Sequence, residues 1–397
     1  MTFSPRQRLL AYAMAGVGLG TNAMILFLVP LYAVDKGVSL GVVGLLLGSK
    51  ALTESVMGVP LGGFIDRYGP KRAYLIGSVG FSVVAFTFGF VSFVPLMFVL
   101  MVLLGVFRGL AWVSGQAYAS SMREGADRNH DVARFAFAAN IGQMASPILV
   151  GFSAQIWGYP AAFVVMAIYG LCCFLAASTL PAVNVGEAGG SADGSGFRAA
   201  RGLLKLPGIQ VVLFITFCRL WLPTAWMAFL PLFLVQSGSS EGVAGTAASA
   251  MAISSALISL VTGRMAQVIP PAPLTALSLA VSCVGVAVTP WMASVPAVYL
   301  PAILVGIGQG VSLPMLIVLT SQAAPAGQKS LALGLRSGVN QAAATGAPVL
   351  VGPLIAVASL SVGFVASGVL GLVFLAAGMV VYRRGRDLSL DDATEPA

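Results

Sequence analysis

Four ionisable side chains, Lys50, Glu54, Arg108 and Arg219, lie deep inside long apolar runs. Such a group costs roughly 2.5–3.5 kcal/mol at membrane depth and marks an ion or substrate path by default. At a helical rise of about 1.5 Å, Glu54 sits roughly 18 Å from the outer end of its run, and Arg108 a similar distance along its own. Arg219 sits about 15 Å from the inner end of another. Lys50 is one turn nearer the outside than Glu54 and on the same helix face, because i and i+4 align. Glu54 is the one acid deep enough to carry a proton through a bilayer. The three cations suit either that carboxylate or an anionic ligand. Asn22, Gln143, Gln309 and Asn340 could add hydrogen bonds, and Trp112, Trp221 and Trp226 apolar walls. Blander roles exist too: Lys50 and Glu54 can neutralise each other, and Arg219 can snorkel to the inner surface.

Other chemistries find little support. The four cysteines, Cys172, Cys173, Cys218 and Cys283, all lie within apolar runs and show neither disulfide framework nor metal-ligand spacing. The single histidine, His130, stands beside Asp127 and Asp131 in a polar segment. No G-x-S-x-G or H-E-x-x-H element occurs. Neither an enzyme nor a metal or other cofactor is expected.

The elements that must position these residues follow from composition. Of 397 residues, 58% are hydrophobic and 9% charged, against about 25% charged in soluble domains. A soluble enzyme, a nucleic-acid binder and a disordered chain are thereby excluded. The apolar stretches are continuous rather than alternating, which argues for membrane helices over a β-barrel. Twelve runs are expected, at about 9–33, 41–64, 74–92, 96–118, 133–155, 161–181, 209–234, 243–265, 273–291, 297–320, 333–357 and 362–382. The first follows Arg6 and Arg8 but is too long for a signal-peptide core, so it reads as a retained span. The glycine-rich stretch 182–208 reads as an inner linker between two halves, 1–181 and 209–382, with 383–397 as an inner tail.

Charge placement sets an expected orientation. Of 21 Lys and Arg residues, Lys36 alone falls in an outer loop and Lys50, Arg108 and Arg219 lie deep; the other 17 fall on the inner side. The positive-inside rule then puts both termini in the cytoplasm of a multi-pass cell-membrane protein. The halves also repeat at an offset of 201 residues. Pro30 maps to Pro231, Gly37 to Gly238, Gly44 to Gly245, Gly62 to Gly263 and Pro95 to Pro296. Gly105 and Gly109 map to Gly306 and Gly310, and Pro147, Leu149, Val150 and Gly151 map to Pro348, Leu350, Val351 and Gly352.

Between the second and third runs, the segment Gly62-Gly63-Phe64-Ile65-Asp66-Arg67-Tyr68-Gly69-Pro70-Lys71-Arg72 is expected as a loop. It resembles the G-x-x-x-D-R-x-G-x-[KR]-[KR] motif of the major facilitator superfamily. Its second copy is eroded: Gly263 remains, but Gln267 replaces the acid. The resemblance implies an all-α integral membrane fold of twelve helices in two six-helix repeats, with the substrate at their interface. It gives Asp66 the role of locking the cytoplasmic gate against the N-terminus of helix 11, with Gly62, Arg67, Gly69, Lys71 and Arg72 completing the motif. Arg108 stands where family members carry an intramembrane arginine implicated in proton coupling.

Ser146-Pro147-Ile148-Leu149-Val150-Gly151 is similar to the G-P-x-x-G-G element of antiporters, with Ser146 and Val150 in place of two glycines. Pro147, Gly151, Pro348 and Gly352 would bend helices or let them pack closely. Helix 2, from Val43 to Ala51 and on to Pro60, resembles the vesicular amine transporters of the drug:proton antiporter group, although Thr21 replaces their helix 1 acid. The expectation is a monomeric, proton-coupled secondary transporter that exports a small organic molecule by alternating access in the lipid bilayer. The alternative is an organic-anion carrier that uses the Arg and Lys cluster.

Overall fold

A computed structural model of the protein describes residues 4–122, 126–183, 201–325 and 328–391, and these are helical almost throughout, with no strand among them. The order is α1 (Pro5–Ala13), α2 (Gly16–Asp35), α3 (Leu40–Tyr68), α4 (Pro70–Phe88), α5 (Val94–Ser120), α6 (Ala126–Trp157) and α7 (Tyr159–Ser178). After the linker come α8 (Pro207–Gln236), α9 (Glu241–Val268), α10 (Pro271–Val288), α11 (Tyr299–Ala323), α12 (Lys329–Val357) and α13 (Leu360–Asp391). Eleven of the described segments are long and apolar enough to cross a membrane, with α1 and α2 counted as one; α4, which opens on Pro70-Lys71-Arg72, is not among them. Large apolar side chains such as Leu52, Val83, Leu175 and Leu260 lie exposed on helix faces. That arrangement suits contact with lipid rather than water.

Three boundaries differ from the sequence reading. The first run is two helices, broken at Met14–Ala15, where the Tyr74 hydroxyl donates to the Met14 carbonyl at 2.8 Å and satisfies an acceptor at the break. The motif expected as a loop is mostly helix: α3 continues through Gly62, Asp66 and Arg67 to Tyr68, and Pro70 already opens α4. Gly69 alone makes the connection, at φ 81°, a backbone state that side-chain-bearing residues rarely adopt. At the other end, α13 runs to Asp391, so the expected tail begins as helix. Residues 184–200 of the linker, and with them Arg198, lie outside the described residues, as does Arg123.

Two compact units are present. The first takes the described part of Met1–Gly189 together with Met227–Ala252. Within it α2 packs on α6, α3 on α5, and α4 on both α5 and α7. One buried cluster joins Ala15, Tyr74, Ala111, Tyr118, Phe135 and Cys173 across these helices. The second unit takes the described part of Gly190–Trp226 and Ile253–Ala397. Its α10 packs on α11 and α13, and its core includes Val212, Ile215, Cys218, Leu279, Leu316 and Leu375.

The repeat register recurs as contacts inside each unit. Gly37 and its equivalent Gly238 both have positive φ, 78° and 88°. A Cβ on Gly170 would strike Ser82 Oγ, and one on the equivalent Gly371 would strike Cys283 Sγ. Those partners, Ser82 and Cys283, are themselves 201 residues apart. Arg108 donates from Nη1 to the Gly18 carbonyl at 2.9 Å, while its equivalent Gln309 donates from Nε2 to the carbonyl of Arg219, the equivalent of Gly18, at 2.8 Å.

Candidate functional site: a buried Lys50–Glu54–Arg108 cluster

Helices α2, α3 and α5 converge because glycines remove side chains at their contacts. A Cβ on Gly105 of α5 would strike the Lys50 carbonyl of α3, and one on Gly18 of α2 would strike the Trp112 ring of α5. This close approach lets three charged side chains meet. Glu54 accepts a fork from Arg108, with Nε to Oε1 at 2.7 Å and Nη2 to Oε2 at 2.5 Å. Lys50 Nζ lies 3.1 Å from Glu54 Oε1 and also donates to Asn22 Oδ1. The third direction of the guanidinium goes to the Gly18 carbonyl. Side-chain exposure is 5% for Lys50, 12% for Glu54 and 10% for Arg108.

The cluster carries two cations and one anion, nearly dry, with polar acceptors on α2 completing the cations' hydrogen bonds. Bidentate Arg–carboxylate pairs are the stronger, geometrically specific kind. A proton added to Glu54 would weaken both ion pairs at once and release two cations that are now held. The site can therefore exist in two charge states with different side-chain bonding, and α2, α3 and α5 all feel the change.

Of the expected site residues, Lys50, Glu54, Arg108, Asn22 and Trp112 come together here. Arg219, Gln309 and Asn340 belong to the second unit. There the Nε of Arg219 is buried and has no hydrogen-bond partner among the described residues. Two participants escaped the sequence reading. The Gly18 carbonyl is a backbone acceptor, which residue type cannot announce. Arg336 falls on the inner side by sequence, yet its Nε is also buried and unpartnered among the described residues.

The remaining expected residues fall at two other places. In the 62–72 segment, Asp66, Arg67 and Arg72 are exposed, and Asp66 makes no hydrogen bond or ion pair among the described residues. Lys71 donates to the carbonyls of Ser178, at 3.0 Å, and of Leu180, capping the end of α7. Pro147 and Gly151 of α6 face α9: a Cβ on Gly151 would strike the Glu241 carbonyl, and one on Gly245 the Pro147 carbonyl. The Tyr159 hydroxyl donates to Glu241 Oε1 at 3.1 Å beside this contact. Pro348 and Gly352 are buried within α12. Lys36 pairs with Asp35 at 3.0 Å, and that hydrogen bond, with the carboxylate's charge, holds its ammonium above the usual lysine value. The side chains of Asp127, Arg128, His130, Lys329 and Arg386 lie outside what the structure describes.

A family model described as Major Facilitator Superfamily matches residues 9–240 and 212–396. Among solved structures, a mutant of the nucleoside transporter NupG is similar at a TM-score of 0.82 and 14% identity, covering 95% of this chain and 100% of that one. A bacterial homolog of the human lysosomal transporter Spinster, in an inward-facing and unoccupied conformation, is similar at 0.76 and 16% identity, with 100% of both chains covered. A mutant of the peptide transporter POT, in complex with sulfate, is similar at 0.76 and 14%, covering 96% of this chain and 95% of that one. At these identities the likeness is one of fold. No curated protein sequence matches the chain.

Proposed function

Since the chain belongs to the Major Facilitator Superfamily, we propose that it is a proton-coupled secondary transporter that exports a small organic molecule by alternating access. The observation that carries this reading is the Glu54 carboxylate, buried between the Arg108 fork and Lys50. A carboxylate in that position links proton binding to the release of two cations from one anion, which is the elementary requirement for coupling. Export is supported by the resemblance of helix 2 and of the Pro147 element to antiporters. In this reading the protein works as a monomer in the cell membrane, with both termini cytoplasmic. Asp66 is assigned to a gate contact made in a state of the cycle other than the one described, since here it is exposed and makes no hydrogen bond or ion pair among the described residues.

The test is Glu54→Gln in proteoliposomes with an imposed proton gradient. Loss of gradient-driven accumulation, with exchange down a substrate gradient retained, is the expected result. Uphill movement at the wild-type rate would remove Glu54 from the coupling role. Lys50 and Arg108 already have Glu54 as their anion, so an anionic substrate would have to find its cations elsewhere in the molecule.

A further inference from the structure

The offset of 201 residues maps Gly18 onto Arg219, Trp112 onto Leu313 and Phe135 onto Arg336. In the first unit these positions make an apolar stack. Trp112 lies over Gly18, and its ring centroid is 5.9 Å from that of Phe135. Aromatic carbon thus fills the space beside the Gly18 backbone. In the second unit the same positions carry a guanidinium, a leucine and another guanidinium. Leu313 is 44% exposed and does not replace the missing indole. The backbone frame is nevertheless retained, because Gln309 holds the Arg219 carbonyl as Arg108 holds that of Gly18.

Helices α8 and α12 do face each other in this unit. Phe217 and Val339 line one cavity of about 470 Å³, and the Trp221 ring lies 3.7 Å from where a Cβ on Gly346 would stand. Neither arginine lines that cavity: Arg219, two residues from both Phe217 and Trp221, leaves α8 from another face, and Arg336 lies one turn before Val339 on α12. By the repeat equivalence Arg219 and Arg336 flank Leu313, as Gly18 and Phe135 flank Trp112. Both Nε atoms are shut from solvent with no hydrogen-bond partner among the described residues. Between Arg201 and Arg386 the sequence holds a single acid, Glu241, and it belongs to the first unit. Both side chains are half-buried overall, but an Nε shut from water without an acceptor forgoes a hydrogen bond, and two like charges close together repel as well. What the pair lacks is an anion with several acceptor oxygens.

We propose that Arg219 and Arg336 form a binding site for an oxyanion group, carboxylate or phosphate, carried by the transported molecule. Asn340, one turn beyond Arg336 on the same helix face, adds a neutral donor to the site. This deepens the transporter reading and rests on it. Its residues belong to the second unit and the Glu54 cluster to the first, so each can be varied without altering the other.

The experiment measures the Tm of the purified full-length protein in neutral detergent at constant ionic strength. Chloride is replaced by inorganic phosphate, citrate or benzoate, with choline as a cationic control. A parallel arm adds phosphatidylglycerol, to learn whether the oxyanion comes from a lipid headgroup. The expected result is a saturable rise of about 4 °C once an oxyanion is about a hundredfold above its Kd. Arg219→Gln and Arg336→Gln should each weaken that response about tenfold or more. Each should also raise the Tm measured in chloride, because one of two repelling cations is gone. Should a Gln variant not fold, Arg219→Lys keeps the charge, loses the fork and should still weaken binding. Glu54→Gln should leave the oxyanion response intact, so a failure of proton coupling does not masquerade as a failure of this site. No response to any oxyanion in either arm, or an undiminished response in the Arg219→Gln, Arg336→Gln double variant, overturns the proposal.

Discussion

At the scale of single residues, Glu54 is bound by two cations and each cation by other groups as well. Its neutralisation should therefore be the costlier change. Glu54→Gln leaves Arg108 and Lys50 facing each other without an anion, and breaking a buried pair from one side costs about 3–5 kcal/mol. Arg108→Gln leaves Glu54 with Lys50 at 3.1 Å, so its cost should be smaller. Adding Arg108→Gln to Glu54→Gln should recover part of the loss, because it removes one of the two stranded cations. Reversible denaturant titrations of the four proteins in one detergent would measure these differences, and a double variant less stable than Glu54→Gln would contradict them. The charged members of this cluster were legible in the sequence, since depth in an apolar run isolates them from the other charges. Their division of labour was not legible. The i,i+4 spacing announced Lys50–Glu54, whereas the fork from Arg108 depends on how closely α3 and α5 approach.

At the scale of helices, that approach is set by residues with no chemistry of their own. Gly18, Gly105 and Gly109 appeared in the sequence as repeat markers or not at all, and the structure shows them as contact points for Trp112, Lys50 and Leu61. Gly18 offers a direct test of the comparison between the units. Gly18→Ala should destabilise the protein by about 1–3 kcal/mol, the usual cost of overpacking, because the new methyl meets the Trp112 ring. Adding Trp112→Leu, the residue found at the equivalent Leu313, should relieve most of that strain. If Trp112→Leu worsens Gly18→Ala by the full cost of Trp112→Leu alone, the two side chains are independent and the contact is not the source. Helix existence was readable from hydropathy throughout. The 62–72 segment differs from its loop expectation because its glycines and charges sit within helix: α3 runs on through Gly62, Gly63, Asp66 and Arg67. Tyr68 is nevertheless the last helical residue, and Gly69 alone turns the chain.

At the scale of the whole molecule, the sequence pattern constrains orientation through charge rather than through any one contact. Seventeen of 21 cations fall on one side in the twelve-run reading, and Lys36 is the sole cation assigned to the other. Moving such a bias across a bilayer is what the positive-inside rule disfavours. Two sites report on it without touching the cores or the Glu54 cluster: Lys36, which pairs with exposed Asp35 after α2, and Arg384, exposed near the end of α13. Replacing each singly by cysteine, in a background where Cys172 is serine, gives one thiol on each expected side. In intact cells a membrane-impermeant maleimide should label Lys36→Cys and leave Arg384→Cys unmodified until the membrane is opened. Labelling in the opposite order would reverse the orientation, and the direction of export would then have to be argued afresh. Labelling of both in intact cells would mean that the two positions share a side, which an odd number of crossings between them forbids. Eleven helices from α3 on lie between the two positions and ten of them are long and apolar enough to cross, so labels on opposite sides require α4 to cross as well.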